Sequence, residues 1–159
     1  MGAIRAIVIT VSDRVSRGEA EDRSGPAAAA ALDALGFAVE VVVVPDGVDE
    51  VEKALRVAAA GVNLVVTTGG TGVAPRDLTP EATHRVIERE APGLAEAMRS
   101  ATFGSNPHGM LSRGVSGIVG ETLIINLPGS VSGVTESLAI VGPALAHAVE
   151  LLLDRPTAH

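Results

Sequence analysis

Residues 67–81 read TTGGTGVAPRDLTPE. Gly69, Gly70 and Gly72 interleave with Thr67, Thr68 and Thr71, and Arg76-Asp77 follow before Thr79-Pro80-Glu81. Glycine reaches positive φ and lets a ligand approach bare backbone. Free main-chain N–H groups in such a turn bind oxyanions, and the threonines add hydroxyl donors. The chemistry on offer is recognition of a phosphate. Asp77 alone would repel that phosphate, so an acid beside the cradle points to a bridging divalent cation. There is no G-x-x-x-x-G-K-[ST], and Gly70-Thr71-Gly72 runs into Val73-Ala74-Pro75 rather than completing G-x-G-x-x-G. A glycine-rich strand-to-helix turn without a ligand is the plainer alternative.

Asp46, in Pro45-Asp46-Gly47, is the second acid of interest. Two carboxylates beside a phosphate cradle suit Mg2+, which takes one or two carboxylates together with water and substrate phosphates. Pro-Asp-Gly is also a common turn sequence. Asp13, after Ser12, either joins the site or pairs with Arg14. Ser112 and Asn126 could hydrogen-bond a polar ligand or satisfy loop backbone, and Arg113 could contact phosphate. His84, His108 and His147 lack the spacing of zinc ligands. No G-x-S-x-G nucleophile elbow occurs, and there is no cysteine.

These residues need elements to hold them. Residues 4–11 (IRAIVITV), 37–44 (FAVEVVVV), 62–66 (VNLVV) and 121–127 (ETLIINL) are apolar, β-branched runs that read as buried strands. Helical patterns fill 24–35, 49–60, 80–89 and 93–100, with Gly36 as a C′ glycine and Thr79 as an N-cap before Pro80. Residues 19–23 read as a surface loop, and 103–120 as irregular because glycines, serines and Pro107 interrupt them. Residues 131–153 read as one or two helices broken near Gly142-Pro143. Alternating strands and helices predict a three-layer α/β/α fold around a mostly parallel sheet. Ligands of such sheets sit beyond the carboxyl ends of the strands. The loops at 12–18, 45–47, 67–79 and 126–130 leave those ends, so Asp13, Asp46, Asp77 and Asn126 are expected to converge.

The length of 159 residues fits one domain over 1–159, and 47% apolar content supplies a full core. The net charge of −7 and only two aromatic residues, Phe37 and Phe103, speak against nucleic-acid binding. The basic residues are eleven Arg and one Lys. No signal-peptide pattern or membrane-length apolar run is apparent, which predicts a cytoplasmic protein.

Taken together, these motifs resemble the MogA/MoaB family of molybdenum cofactor biosynthesis proteins. The resemblance rests on Thr68-Gly69-Gly70-Thr71-Gly72 with Pro75-Arg76-Asp77-Leu78-Thr79-Pro80-Glu81, on Met110-Leu111-Ser112-Arg113, and on Leu123 through Gly129. Ser12-Asp13 and Pro45-Asp46 add to it. It implies the molybdopterin-binding fold, a homotrimer and a nucleotidyltransferase that adenylylates molybdopterin with ATP and Mg2+, releasing pyrophosphate. It implies that Asp46 and Asp77 form the catalytic, metal-holding pair. It further implies that Ser12, Asp13, Thr68, Gly69, Gly70, Thr71, Gly72, Ser112, Arg113, Asn126, Pro128 and Gly129 bind substrate. Transient contact with other molybdenum cofactor synthesis proteins would follow. Members that carry molybdopterin without catalysis, scaffold modules, and an unrelated nucleotide-binding role are the alternatives.

Overall fold

A computed structural model describes residues 2–157; Met1 and residues 158–159, part of the expected single domain, lie outside the described residues. The strands are β1 (Arg5–Val11), β2 (Ala38–Val44), β3 (Leu64–Thr68), β4 (Arg89–Glu90), β5 (Ser116–Val119) and β6 (Thr122–Leu127). The α-helices are α1 (Asp13–Ser16), α2 (Ser24–Ala34), α3 (Val48–Ala59), α4 (Thr79–Val86), α5 (Pro92–Ser100) and α6 (Val131–Leu152). A 3-10 turn covers Pro107–Leu111.

The strands form one sheet in the order β2-β1-β3-β6-β5-β4. The first four run parallel, and β5 is antiparallel to both β6 and β4. Alternate residues of the central strands feed two cores. Val8, Val66 and Ile125 face α2 and α6, where Leu32, Leu138 and Leu145 are buried. Ile9, Val65 and Ile124 face α3 and α4, where Val51, Leu55 and Ala82 are buried. The expected three layers and mostly parallel sheet are therefore present.

Several elements depart from the sequence reading. β3 extends through Thr67 and Thr68, both fully buried, so the glycine turn starts flush with the sheet. Thr79 is the first residue of α4 rather than its cap: its Oγ1 donates to Gly69 O at 3.0 Å, and no side chain caps the helix. β5 emerges from the stretch read as irregular. Its glycine is required, since a Cβ at Gly117 would lie 2.7 Å from Ile87 Cδ1 and 2.9 Å from Arg89 O. α4 stops at Val86, and Glu88 N–H and Ala91 N–H donate to Ile118 O and Ser116 O, which makes β4 a short edge strand.

α6 is continuous through Pro143. Proline removes one helical hydrogen bond, but Val134, Leu138, Val141, Leu145 and Val149 are all buried along one side of the helix and keep it whole. α6 is 22 residues long and holds an 18-residue window of mean hydropathy 1.2, so by length and composition alone it could cross a membrane, which the sequence reading did not anticipate. In the fold it packs on β6, α2 and α5.

Candidate active site

The carboxyl ends of β1, β2, β3 and β6 lie side by side, with Val11 registered against Val44, Thr10 against Thr68, and Thr68 against Leu127. The loops leaving them carry the residues singled out above. The glycine turn lies at their centre. Gly69 and Gly70 have φ of +91° and +69°, a region a side chain would strain. Space forbids one as well: a Cβ at Gly69 would run into Val11 O, and one at Gly70 into Thr79 Oγ1. Gly129 approaches so closely that its Cβ would lie 3.2 Å from Gly69 Cα.

Gly69 N–H donates to Leu127 O. Among the described residues, the N–H groups of Gly70, Thr71, Gly72 and Val73 donate to no protein acceptor. The same holds for Val131 and Ser132 at the start of α6, a 22-residue helix whose positive end adjoins the turn through Gly129, which packs on Gly69. An oxyanion is the group such a concentration of donors recognises.

Cavities open on both sides of the turn. The larger, about 690 Å3, is lined by Thr71, Gly72, Ser112 and Asn126 on its polar side, and by Pro128, Met98 and Ile140 among its apolar contributors. The smaller, about 400 Å3, is lined by Ser12, Thr68, Gly69 and Gly129, together with Asp22 and Ser24. Ser130 borders both. A further cavity of about 530 Å3, on the opposite rim beside Asn63, Glu88 and Glu121, contains no residue singled out from the sequence.

Asp13, Asp46, Asp77 and Arg113 line neither of the two flanking cavities; Asp46, Asp77 and Arg113 stand against the turn, and Asp13 reaches it only through Asp46 and Arg76. A Cβ at Gly70 would lie 3.3 Å from Asp46 Oδ1, and one at Gly72 would lie 2.9 Å from Asp77 Oδ2. The two acids are close enough for the Asp77 charge to act on Asp46. Burial above all, then the charges of Asp13 and Asp77, raise the Asp46 carboxyl above its ordinary range against the opposing hydrogen bond from Asp13. Asp46 Oδ2 accepts from Asp13 N–H at 2.9 Å, and Asp46 N–H donates to Asp13 Oδ1 at 3.2 Å. Asp77 Oδ2 accepts from Ala74 N–H at 3.0 Å. Oδ1 of each acid has no protein donor among the described residues. No group of three or more acids, histidines or cysteines able to hold a metal occurs among them either.

Other expected ligand-binding side chains are engaged by the protein. Ser12 Oγ caps α1 by accepting from Val15 N–H. Asn126 is buried; its Oδ1 accepts from Val115 N–H at 3.0 Å, and its Nδ2 donates to Thr67 Oγ1 at 3.1 Å and Thr83 Oγ1 at 3.0 Å. Ser112 Oγ accepts from Gly114 N–H at 3.3 Å. The Arg113 guanidinium reaches Gly72 O, Asp77 O and both Glu81 oxygens.

Sequence reasoning missed three residues at the rim. Arg76 pairs with Asp13 and donates from Nη2 to Asp46 O at 2.7 Å. Asp22, in the segment read as a surface loop, accepts from Thr10 Oγ1 and Gly25 N–H beside the smaller cavity. Arg99, on α5, lines the larger cavity and donates to Gly114 O at 2.7 Å. Arg76 was legible only as the neighbour of Asp77. Nothing local marked the other two.

Residues 7–147 match the family described as a probable molybdopterin binding domain. The chain is 42% identical to a molybdopterin adenylyltransferase of Helicobacter pylori, over 96% of this chain and 90% of that one. It is 38% identical to gephyrin of Dictyostelium discoideum over 94% of its own length, yet spans only 22% of that longer protein. The crystal structure of the molybdopterin biosynthesis enzyme MoaB from Thermus thermophilus superposes with a TM-score of 0.90. The two are 46% identical, over 96% of this chain and 98% of that one.

Proposed function

The chain belongs to the molybdopterin-binding MogA/MoaB family, and from that premise we propose that it is a molybdopterin adenylyltransferase. In this reading it transfers AMP from ATP to the terminal phosphate of molybdopterin and releases pyrophosphate. The observation that carries the reading is the glycine turn. Its unsatisfied N–H groups lie between two cavities and face two carboxylates. Two polyanionic substrates entering from opposite sides would bring their phosphates together over those donors.

Transfers of this kind depend on positioning and charge neutralisation more than on proton transfer. Molybdopterin's phosphate is already ionised near neutral pH, so no general base is required. The N–H groups of residues 70–73 and the start of α6 bind phosphoryl oxygens, where donors aimed at developing charge act most strongly. Thr67 and Thr83 lock Asn126, and Asn126 fixes the wall of the larger cavity through Val115.

Asp46 and Asp77 fit a magnesium ion that arrives with phosphates. Each keeps one carboxylate oxygen without a protein partner, and two carboxylates suffice when phosphate and water complete the shell. When bound, Mg2+ would neutralise triphosphate charge. Arg76 and Asp13 hold the Asp46 loop in place for it.

In the same reading the enzyme is cytoplasmic and homotrimeric, and meets other molybdenum cofactor synthesis proteins transiently. Self-association is supported by apolar surface: Val41, Val42 and Val43 on edge strand β2, with Phe103, Met110 and Leu111, are all exposed. Sedimentation velocity tests the assembly. A second reading, a molybdopterin carrier without transferase activity, draws on the likeness to MoaB; the presence of both acids favours the enzyme.

The deciding experiment is pyrophosphate release from Mg-ATP with and without molybdopterin. Release that requires the pterin is the expected result. Pterin binding with no release would favour the carrier.

A further inference from the structure

The loop that carries Asp77 is closed mainly on itself. Asp77 N–H donates to Ala74 O, and Ala74 N–H donates to Asp77 Oδ2. What ties this turn to the rest of the rim is a pair of arginines. One, Arg76, reaches Asp13 and Asp46. The other, Arg113, comes from the segment between the 3-10 turn and β5.

Arg113 is spent on the protein at every nitrogen. Its main-chain N–H donates to Thr71 O at 2.8 Å. Its Nε donates to Gly72 O at 2.8 Å, and its Nη2 to Asp77 O at 2.5 Å. Its Nη1 reaches both carboxylate oxygens of Glu81, at 2.9 and 2.8 Å. One side chain thus spans the glycine turn, the catalytic-acid loop and the first turn of α4.

We propose that Arg113, oriented by Glu81, is a positioning residue that fixes Asp77 relative to the glycine turn rather than a ligand of the substrate phosphates. The proposal rests on the adenylyl-transfer reading of this site. A half-exposed ion pair contributes little to stability, so stability does not account for a guanidinium shared among two loop carbonyls and a helix carboxylate. Geometry does: it sets the separation between Gly72 and Asp77. A phosphate could claim Arg113 only by displacing acceptors that already match the planar fork. Lysine has one point charge and cannot span them.

The test is a double-mutant cycle of Arg113→Ala and Glu81→Gln, with Arg113→Lys alongside, read as kcat and KM for Mg-ATP. A misplacement of about 1 Å costs on the order of 10²-fold in rate. R113A and R113K are expected to lose kcat by roughly 10- to 100-fold, with KM for Mg-ATP little changed. E81Q should lower kcat in the same direction, and the double variant should be no worse than R113A alone.

A tenfold or greater rise in KM for Mg-ATP in R113A with kcat retained overturns the proposal, as does an E81Q variant with wild-type kcat. Amide hydrogen exchange at Ala74 and Asp77, whose N–H groups bond within the loop, and at Thr79, whose N–H donates to Gly70 O, gives an independent reading without ligand. R113A should exchange faster there, while β1 and β3 are unaffected; unchanged exchange sinks the strap. A wild-type protein that releases no pyrophosphate would instead remove the adenylyltransferase reading, leaving the exchange result to judge the strap.

Discussion

Arg76 grips Asp13 with two nitrogens, Nε to Oδ2 at 2.6 Å and Nη2 to Oδ1 at 3.0 Å, although the residues stand 63 positions apart. The pairing holds the Asp13 carboxyl below its usual range through the Arg76 hydrogen bond. Nη2 also reaches Asp46 O, so the loops after β1, β2 and β3 share one cation. Arg76→Ala is expected to cost roughly 10- to 100-fold in turnover with a small loss of stability, because the guanidinium is exposed while its partner Asp13 is half-buried. Steady-state kinetics beside thermal melts measured by circular dichroism check both halves. Unaltered turnover would detach Arg76 from the site.

Removing the Asp77 charge should do more. Asp77→Asn keeps the shape of the loop but takes away a carboxylate facing the glycine turn. Turnover is expected to fall about 10²–10³-fold, several kcal/mol at roughly 1.36 kcal/mol per tenfold. Molybdopterin affinity should remain near wild type, measured by equilibrium binding. Near-normal turnover would exclude Asp77 from the mechanism.

Asp46 and Asp13 should respond oppositely to pH. The Asp46 carboxyl is raised, chiefly by burial. Its ionised form therefore strains the folded state, and the stability it confers when protonated is lost as pH rises through its folded pKa. The Asp13 carboxyl is lowered, so its contribution is present above the unfolded carboxylate range and lost as pH falls through its folded pKa. Without ligands, Asp46→Asn should melt higher than wild type at pH 7, by roughly 1–2 °C, with the gap closing in acid. Asp13→Asn should melt lower at pH 7 and match wild type in acid. Melts across a pH series decide it. Calorimetry or circular dichroism is needed, because the chain has no Trp or Tyr.

Asn126 predicts a structural defect at the site. Asn126→Leu would leave Val115 N–H and two buried threonine hydroxyls without their amide partner. The expected loss is about 1–3 kcal/mol per group left unsatisfied, read by urea denaturation.

The sequence alone determined the parallel core and the position of the glycine turn. Runs such as residues 4–11 and 121–127 are too apolar and β-branched to lie anywhere but inside a sheet, and each ends in a polar loop. Gly69 and Gly70 were legible because positive φ leaves few other residues acceptable. Asp46 and Asp77 were legible because strand ends in such sheets face one rim.

Only the tertiary structure decided how those residues are held. β5 was hidden because Gly117 is chosen against Ile87, thirty positions away in the chain, and not by strand propensity. The continuity of α6 through Pro143 depends on burial against β6 and α2, which outweighs a local helix breaker. The arginines show the same division. Nothing in the local sequence distinguishes Arg113 as a phosphate ligand from Arg113 as a strap on Gly72, Asp77 and Glu81. Local preference fixes backbone conformation within a few residues, while a long flexible cation takes its role from whichever acceptors the fold brings within its reach.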